Sequence, residues 1–178
     1  MVNTKLIIIG LRIAEFVLLL LIISLVGAGS GFCIKFTVPG TGPGSGQETK
    51  TCGSIPIGDW GQKVPVSYVQ ENYDKVKGQY FTFIIGFILM LTAGAFAAVR
   101  FLRNSELRMI ELAYTLSGLV LCVIFGGLEA WYGGGFGLCG KFSGCSVIVR
   151  SWQAASVFSF FNVITYIADT CFTFITHD

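Results

Sequence analysis

Charge is what this sequence has least of. Of its 178 residues only 12% are Asp, Glu, Lys or Arg, against 53% hydrophobic, and mean hydropathy is +0.73. That charged share is about half of what a soluble domain uses, so the chain reads as an integral membrane protein. A formal charge of +2 makes no case for nucleic acid. Histidine is almost absent: the one residue, His177, stands at the very end. No Cys/His or paired-His spacing therefore offers a metal site, and no cofactor or enzyme activity is expected. The run YGGGFG lacks the Lys–Ser/Thr and the strand-to-helix context of a phosphate loop. There is no Asn-x-Ser/Thr site, so glycosylation gives no orientation mark.

Long apolar runs are what remains. Leu6–Ala28 has the length to cross a ~30 Å hydrocarbon core at ~1.5 Å per residue. Its apolar part exceeds the ~7–15 residues of a signal peptide, the rival reading. Tyr80–Leu102, Met109–Trp131 and Ala154–Ile175 also have spanning length. The expected fold is an all-α membrane protein: a single tetraspan domain over 1–178, with its four helices antiparallel and both termini on one side. RNSELR between the second and third spans forces a tight helical hairpin. The opposite side carries the loops 29–79 and 133–153. No cytosolic domain is expected.

Arg100, Arg103 and Arg108 crowd the short hairpin, whereas basic residues on the other side are spread over long loops, which favours cytosolic termini. The cysteines agree. Cys33, Cys52, Cys139 and Cys145 fall two to a loop on the far side, as suits an oxidising exterior or lumen, while Cys122 and Cys171 lie inside spans. GFCIKFTV and ETKTCGSIPIGDW are strand-like runs flanking the turn formers PGTGPGSG. A Cys33–Cys52 bridge would close about twenty residues, worth on the order of 3 kcal/mol, and staple a small extracellular β-hairpin. SYVQENYDKVKGQY reads as a short helix leading into the second span. Cys139–Cys145 would close a tight ring in the second loop.

Three constellations lie in or near the spans. Arg12, Glu15, Glu111, Asn162 and Asp169 are polar residues at membrane depth, where a lone charge costs ~2.5–3.5 kcal/mol. Arg12 and Glu15, three apart, share one helix face, and Asp169 matches Arg12 in depth. Two readings compete: mutual satisfaction that fixes packing, with Arg12 as a hub, or a proton or ion path. One Arg against three carboxylates leaves excess negative charge, so a carboxyl is protonated or Glu111 pairs with Arg108 or Arg103. Glu129 reads as a headgroup-level residue. Gly86, Ala93, Gly94, Ala97, Ala98 and Gly118 are small residues that admit close helix approach, with lateral self-association as the other use. Tyr80, Trp131, Tyr132 and Trp152 stand where spans meet the outer interface, as an anchoring belt requires.

LRIAEFVLLLLIISLVGAG at the start, and WQAASVFSFFNVITYIADTCFTFI with Tyr166 and Asp169 near the end, resemble the first and last helices of MARVEL-type tetraspan proteins, the group of physins, occludin and the myelin-and-lymphocyte proteins. One cysteine pair per outer loop is similar to the physin arrangement, and the Tyr–Asp–Thr ending resembles that of small insect tetraspan proteins of septate junctions, the snakeskin-like group. The claudin Trp–Gly-Leu-Trp–Cys–Cys signature is absent, since Trp60 follows the second loop cysteine, and so is the tetraspanin Cys-Cys-Gly. Physins and occludin carry cytosolic tails that are not found here, so tail-borne sorting or scaffold binding is not expected. The resemblance implies a non-enzymatic organiser of membrane appositions, cell junctions or vesicle membranes. Its expected partners are lipid and either further copies of itself or another membrane protein, with no small-molecule substrate. An auxiliary subunit of a larger channel, transporter or pump is the competing function, and a small proton- or ion-conducting bundle using Glu15, Glu111 and Asp169 is the third.

Overall fold

The structure, a computed structural model, describes residues 4–29, 32–38, 47–53, 77–103, 108–134 and 145–175. In chain order these form α1 (Thr4–Ala28), β1 (Phe32–Val38), β2 (Gln47–Gly53), α2 (Lys77–Arg103), α3 (Arg108–Gly133), β3 (Cys145–Val149) and α4 (Arg150–Ile175). Among the described residues four helices are long and apolar enough to cross a membrane: Thr4–Ala28, Gly78–Leu102, Met109–Gly133 and Arg150–Ile175. At ~1.5 Å per residue each reaches about 37 Å, enough for a ~30 Å core. The membrane bundle with a stapled hairpin that the sequence implies is the fold formed.

The helices pack in the order α2, α1, α4, α3. Contact is extensive between α1 and α2, α1 and α4, and α3 and α4, while the closing seam between α2 and α3 is thin. An apolar centre runs through Leu19, Ile22, Ile23, Val26, Met90, Ala93, Cys122 and Phe125. Around it the usual distribution is inverted. Arg12, Glu15, Arg100, Glu111, Glu129, Asn162 and Asp169 are buried, whereas Ile13, Phe87, Val120, Phe161 and Ile164 face outward. A water-soluble domain almost never buries unpaired charge while exposing such residues. In lipid the arrangement is the expected one, because apolar side chains meet acyl chains and polar ones meet each other.

α1 ends where Gly29 takes φ 52°, the left-handed position that closes a helix and that glycine adopts without a Cβ penalty. Beyond it β1 pairs antiparallel with β2, and Cys33 stands directly opposite Cys52. That register places the two sulfurs for the Cys33–Cys52 disulfide, which is formed. The other edge of β1 is taken by β3, with Cys33 opposite Ile148 and Phe36 opposite Cys145, so the sheet order is β2-β1-β3. The sequence reading contains no strand in the second loop. CSVIV is nevertheless suited to one, since Val147, Ile148 and Val149 are β-branched and it holds no Gly or Pro, and an unpaired β1 edge offers it a ladder. β3 then runs straight into α4, which begins at Arg150, four residues before the expected start. Cys139 lies outside the described residues, and so does 67–76 of the expected short helix.

Candidate functional site

The polar residues of α1 are placed by helical spacing. Ile8, Arg12, Glu15, Leu19 and Ile22 recur at three- and four-residue steps and are fully buried. Arg12 therefore enters the bundle interior at the end that carries the termini. Its Nε donates to Asp169 Oδ2 on α4 at 3.2 Å, and its Nη2 donates to Glu111 Oε2 on α3 at 3.1 Å. Arg100 Nη1, from the last turns of α2, donates to that same Glu111 oxygen. Asp169 Oδ1 also accepts from Thr173 Oγ1 at 3.2 Å. The Arg12 guanidinium carbon stands 5.6 Å from the centroid of the Phe96 ring, within cation–π range. Two arginines and two carboxylates thus form one neutral cluster that stitches together all four helices.

Glu15 stands beside this cluster without an arginine in hydrogen-bond contact. Its Oε2 accepts from the Tyr114 hydroxyl at 3.0 Å, and that hydroxyl lies 2.9 Å from the hydroxyl of Tyr166. Its Oε1 has no hydrogen-bond partner. Asn162, a turn before Tyr166 on α4, donates from Nδ2 to Cys122 Sγ at 3.4 Å. The three acids and Arg12 singled out in the sequence are therefore brought together in one region, with Asn162 bonded separately. Arg100 is the member that sequence reading missed. The signal was present, since in a tight antiparallel hairpin Arg100 and Glu111 are equidistant from the middle of the turn. Arg103 and Arg108, the cations expected there, have side chains outside the described set.

Residues 5–172 match the family model for MARVEL, described as a membrane-associating domain. The chain belongs to the MARVEL family. The match takes in all four spans and both loops, so lipid contact through the outward apolar faces is a property of the whole MARVEL unit. No curated protein and no solved structure matches the chain.

The small residues of this MARVEL bundle make room for large side chains of neighbouring helices. A Cβ at Gly118 would run into the ring of Tyr166, one at Gly86 would lie 3.3 Å from Ile23, and one at Gly94 would lie 3.4 Å from Phe16. Ala93 and Ala97 are buried and Ala98 is exposed. Of the two small-xxx-small pairs, Ala93/Ala97 thus faces inward, while in Gly94/Ala98 the half-buried Gly94 lies against Phe16 and Ala98 reaches the surface.

The aromatic belt divides in the same way. Tyr80 and Trp131 are 38% and 44% exposed, as residues at a lipid interface are. Tyr132 and Trp152 are buried instead, which corrects their reading as outward anchors. Trp152 is turned in by the end of α1: its indole N–H donates to the carbonyl of Val26 at 3.2 Å, one of the four acceptors a helix C-terminus leaves unpaired. Tyr132 packs edge-on to it with ring centroids 5.9 Å apart. Glu129, expected at headgroup level, is fully buried in the bundle and accepts from Gln79 Nε2 on α2 at 3.1 Å.

Proposed function

We propose that this MARVEL protein is a non-enzymatic structural organiser of membrane appositions, at cell junctions or on vesicle membranes. Both termini face the cytosol, the sheet faces the opposite side, and the protein associates with further copies of itself or with another membrane protein. The observation that carries this reading is the Cys33–Cys52 staple within a sheet built from both loops. β3 continues directly into α4, and β1 follows α1 after three residues, so the sheet is anchored on two helices that pack together. A surface held in this way loses little entropy on contact with a partner, which suits adhesion. An oxidised cysteine pair also fits the exoplasmic side. In this reading the charge cluster cements the helices, and Gly94/Ala98 contribute to lateral packing.

The test is the double variant Cys33→Ser/Cys52→Ser. Removing the bridge is expected to lower stability by about 2–4 kcal/mol. Helix content should be retained, while self-association and concentration at junctions or vesicles are lost. A variant that folds correctly and still self-associates and localises like the wild type would discard the loop as the organising surface.

A further inference from the structure

The α2–α3 seam is the thinnest of the bundle, and a polar contact closes it at each end. At the terminal end this is Arg100 with Glu111, a charge pair. At the loop end it is Gln79 with Glu129, and among the described residues no ion pair reaches it. Glu129 Oε2 accepts from Gln79 Nε2 at 3.1 Å, yet Glu129 Oε1 and Gln79 Oε1 are both buried without a hydrogen-bond partner. Two acceptors of one bonded pair are thus left over together. As a carboxylate, Glu129 offers no donor that could satisfy either atom. As a carboxylic acid it has one O–H donor, and a primary amide has one N–H and one C=O to match it. A single proton therefore supplies what both unpartnered oxygens lack.

We propose that Glu129 is a proton-binding site: a neutral acid whose Oε1–H is donated to Gln79 Oε1, closing a two-bond latch between α2 and α3 at the loop end of the bundle. The surroundings support this. Tyr132 is the titratable neighbour on its own helix, α2 contributes the Thr82 hydroxyl as a neutral hydrogen-bond partner of the Glu129 carboxyl besides Gln79, and the outer end of α1 is apolar. On α4, Arg150 is exposed and Ser151 is a neutral hydroxyl. None of the described ion pairs includes Glu129. A small cation would need four or more oxygen ligands at such a site, whereas a proton needs only the two that are unfilled. The folded protein then holds a proton that the unfolded chain releases at neutral pH, so stability falls as pH rises.

Infrared spectra of the purified protein in lipid nanodiscs test the assignment. Wild type minus Glu129→Gln at neutral pH is expected to show a hydrogen-bonded carboxylic C=O band that shifts in D2O. Gln79→Leu should move that band to higher frequency, because the acid loses its amide partner. Glu129→Gln keeps one donor and one acceptor toward Gln79, so its melting temperature should stay flat with pH where that of the wild type falls on the alkaline side. If Glu129→Gln does not accumulate, the wild type against Gln79→Leu carries the same comparison. Carboxylate bands alone would overturn the proposal. So would an acid band that appears only when sodium is withdrawn, since the site would then hold a cation.

Discussion

Replacing Arg12 with Ala is expected to destabilise the protein by about 3–5 kcal/mol, the range for breaking a buried ion pair from one side. The guanidinium holds Asp169 and Glu111 at once, from α1 to α4 and from α1 to α3. Without it two carboxylates stay buried with Arg100 as the one remaining cation of the cluster, and Asp169 keeps a single hydroxyl donor from Thr173. Typical domains hold only about 5–15 kcal/mol in reserve, so the loss takes a large share of it and the melting temperature should fall steeply. Arg12→Lys is expected to recover only part of the loss, because a point charge cannot fork between two carboxylates as a guanidinium does. Arg12→Ala combined with Asp169→Asn should be milder than the sum of the single changes, since the second removes a charge that the first leaves unpaired. Thermal unfolding of the wild type, the three single variants and the double variant in one detergent measures this directly.

Trp152→Ala is expected to cost a similar amount, about 3–5 kcal/mol, by a different route. Its side chain is fully buried where α4 begins, against Tyr132, and its N–H satisfies the Val26 carbonyl at the end of α1. Truncation leaves a cavity and an unpaired helix-end acceptor under the sheet that α1 and α4 carry. Trp152→Phe retains most of the volume and loses the hydrogen bond, so it should cost about 1 kcal/mol. A ratio near one between these two variants would mean that packing at this site contributes little. The loop-end location also makes a distinct readout available: protease sensitivity of the sheet should rise in Trp152→Ala before the helices unfold.

The membrane bundle was legible because its signals are long and redundant. Each span announces itself through length and hydropathy, and the pairing of Arg12 with Asp169 follows from matched depth in antiparallel helices. Other features were hidden for identifiable reasons. Trp152 and Tyr132 stand at interface depth, where an outward anchor and an inward plug have the same sequence address, and only helix rotation separates them. β3 is five residues abutting a helix, so its alternation was absorbed into the approach to α4. Arg100 and Glu129 sit near span ends, where a charge is most simply assigned to headgroups; burial there arises because neighbouring helices supply Glu111 and Gln79. Fold, then, follows from one-dimensional pattern, whereas the partners of buried polar groups depend on which face of each helix turns inward.

Flux across a lipid bilayer decides most directly whether the buried charges bind the helices together or carry ions. Wild type and Asp169→Asn should be reconstituted in proteoliposomes, assayed for proton and monovalent-cation movement, and melted in parallel. If the cluster is cement, neither protein moves ions faster than empty vesicles and the variant melts at a lower temperature. Flux in the wild type that disappears in Asp169→Asn, with the melting temperature unchanged, would contradict it.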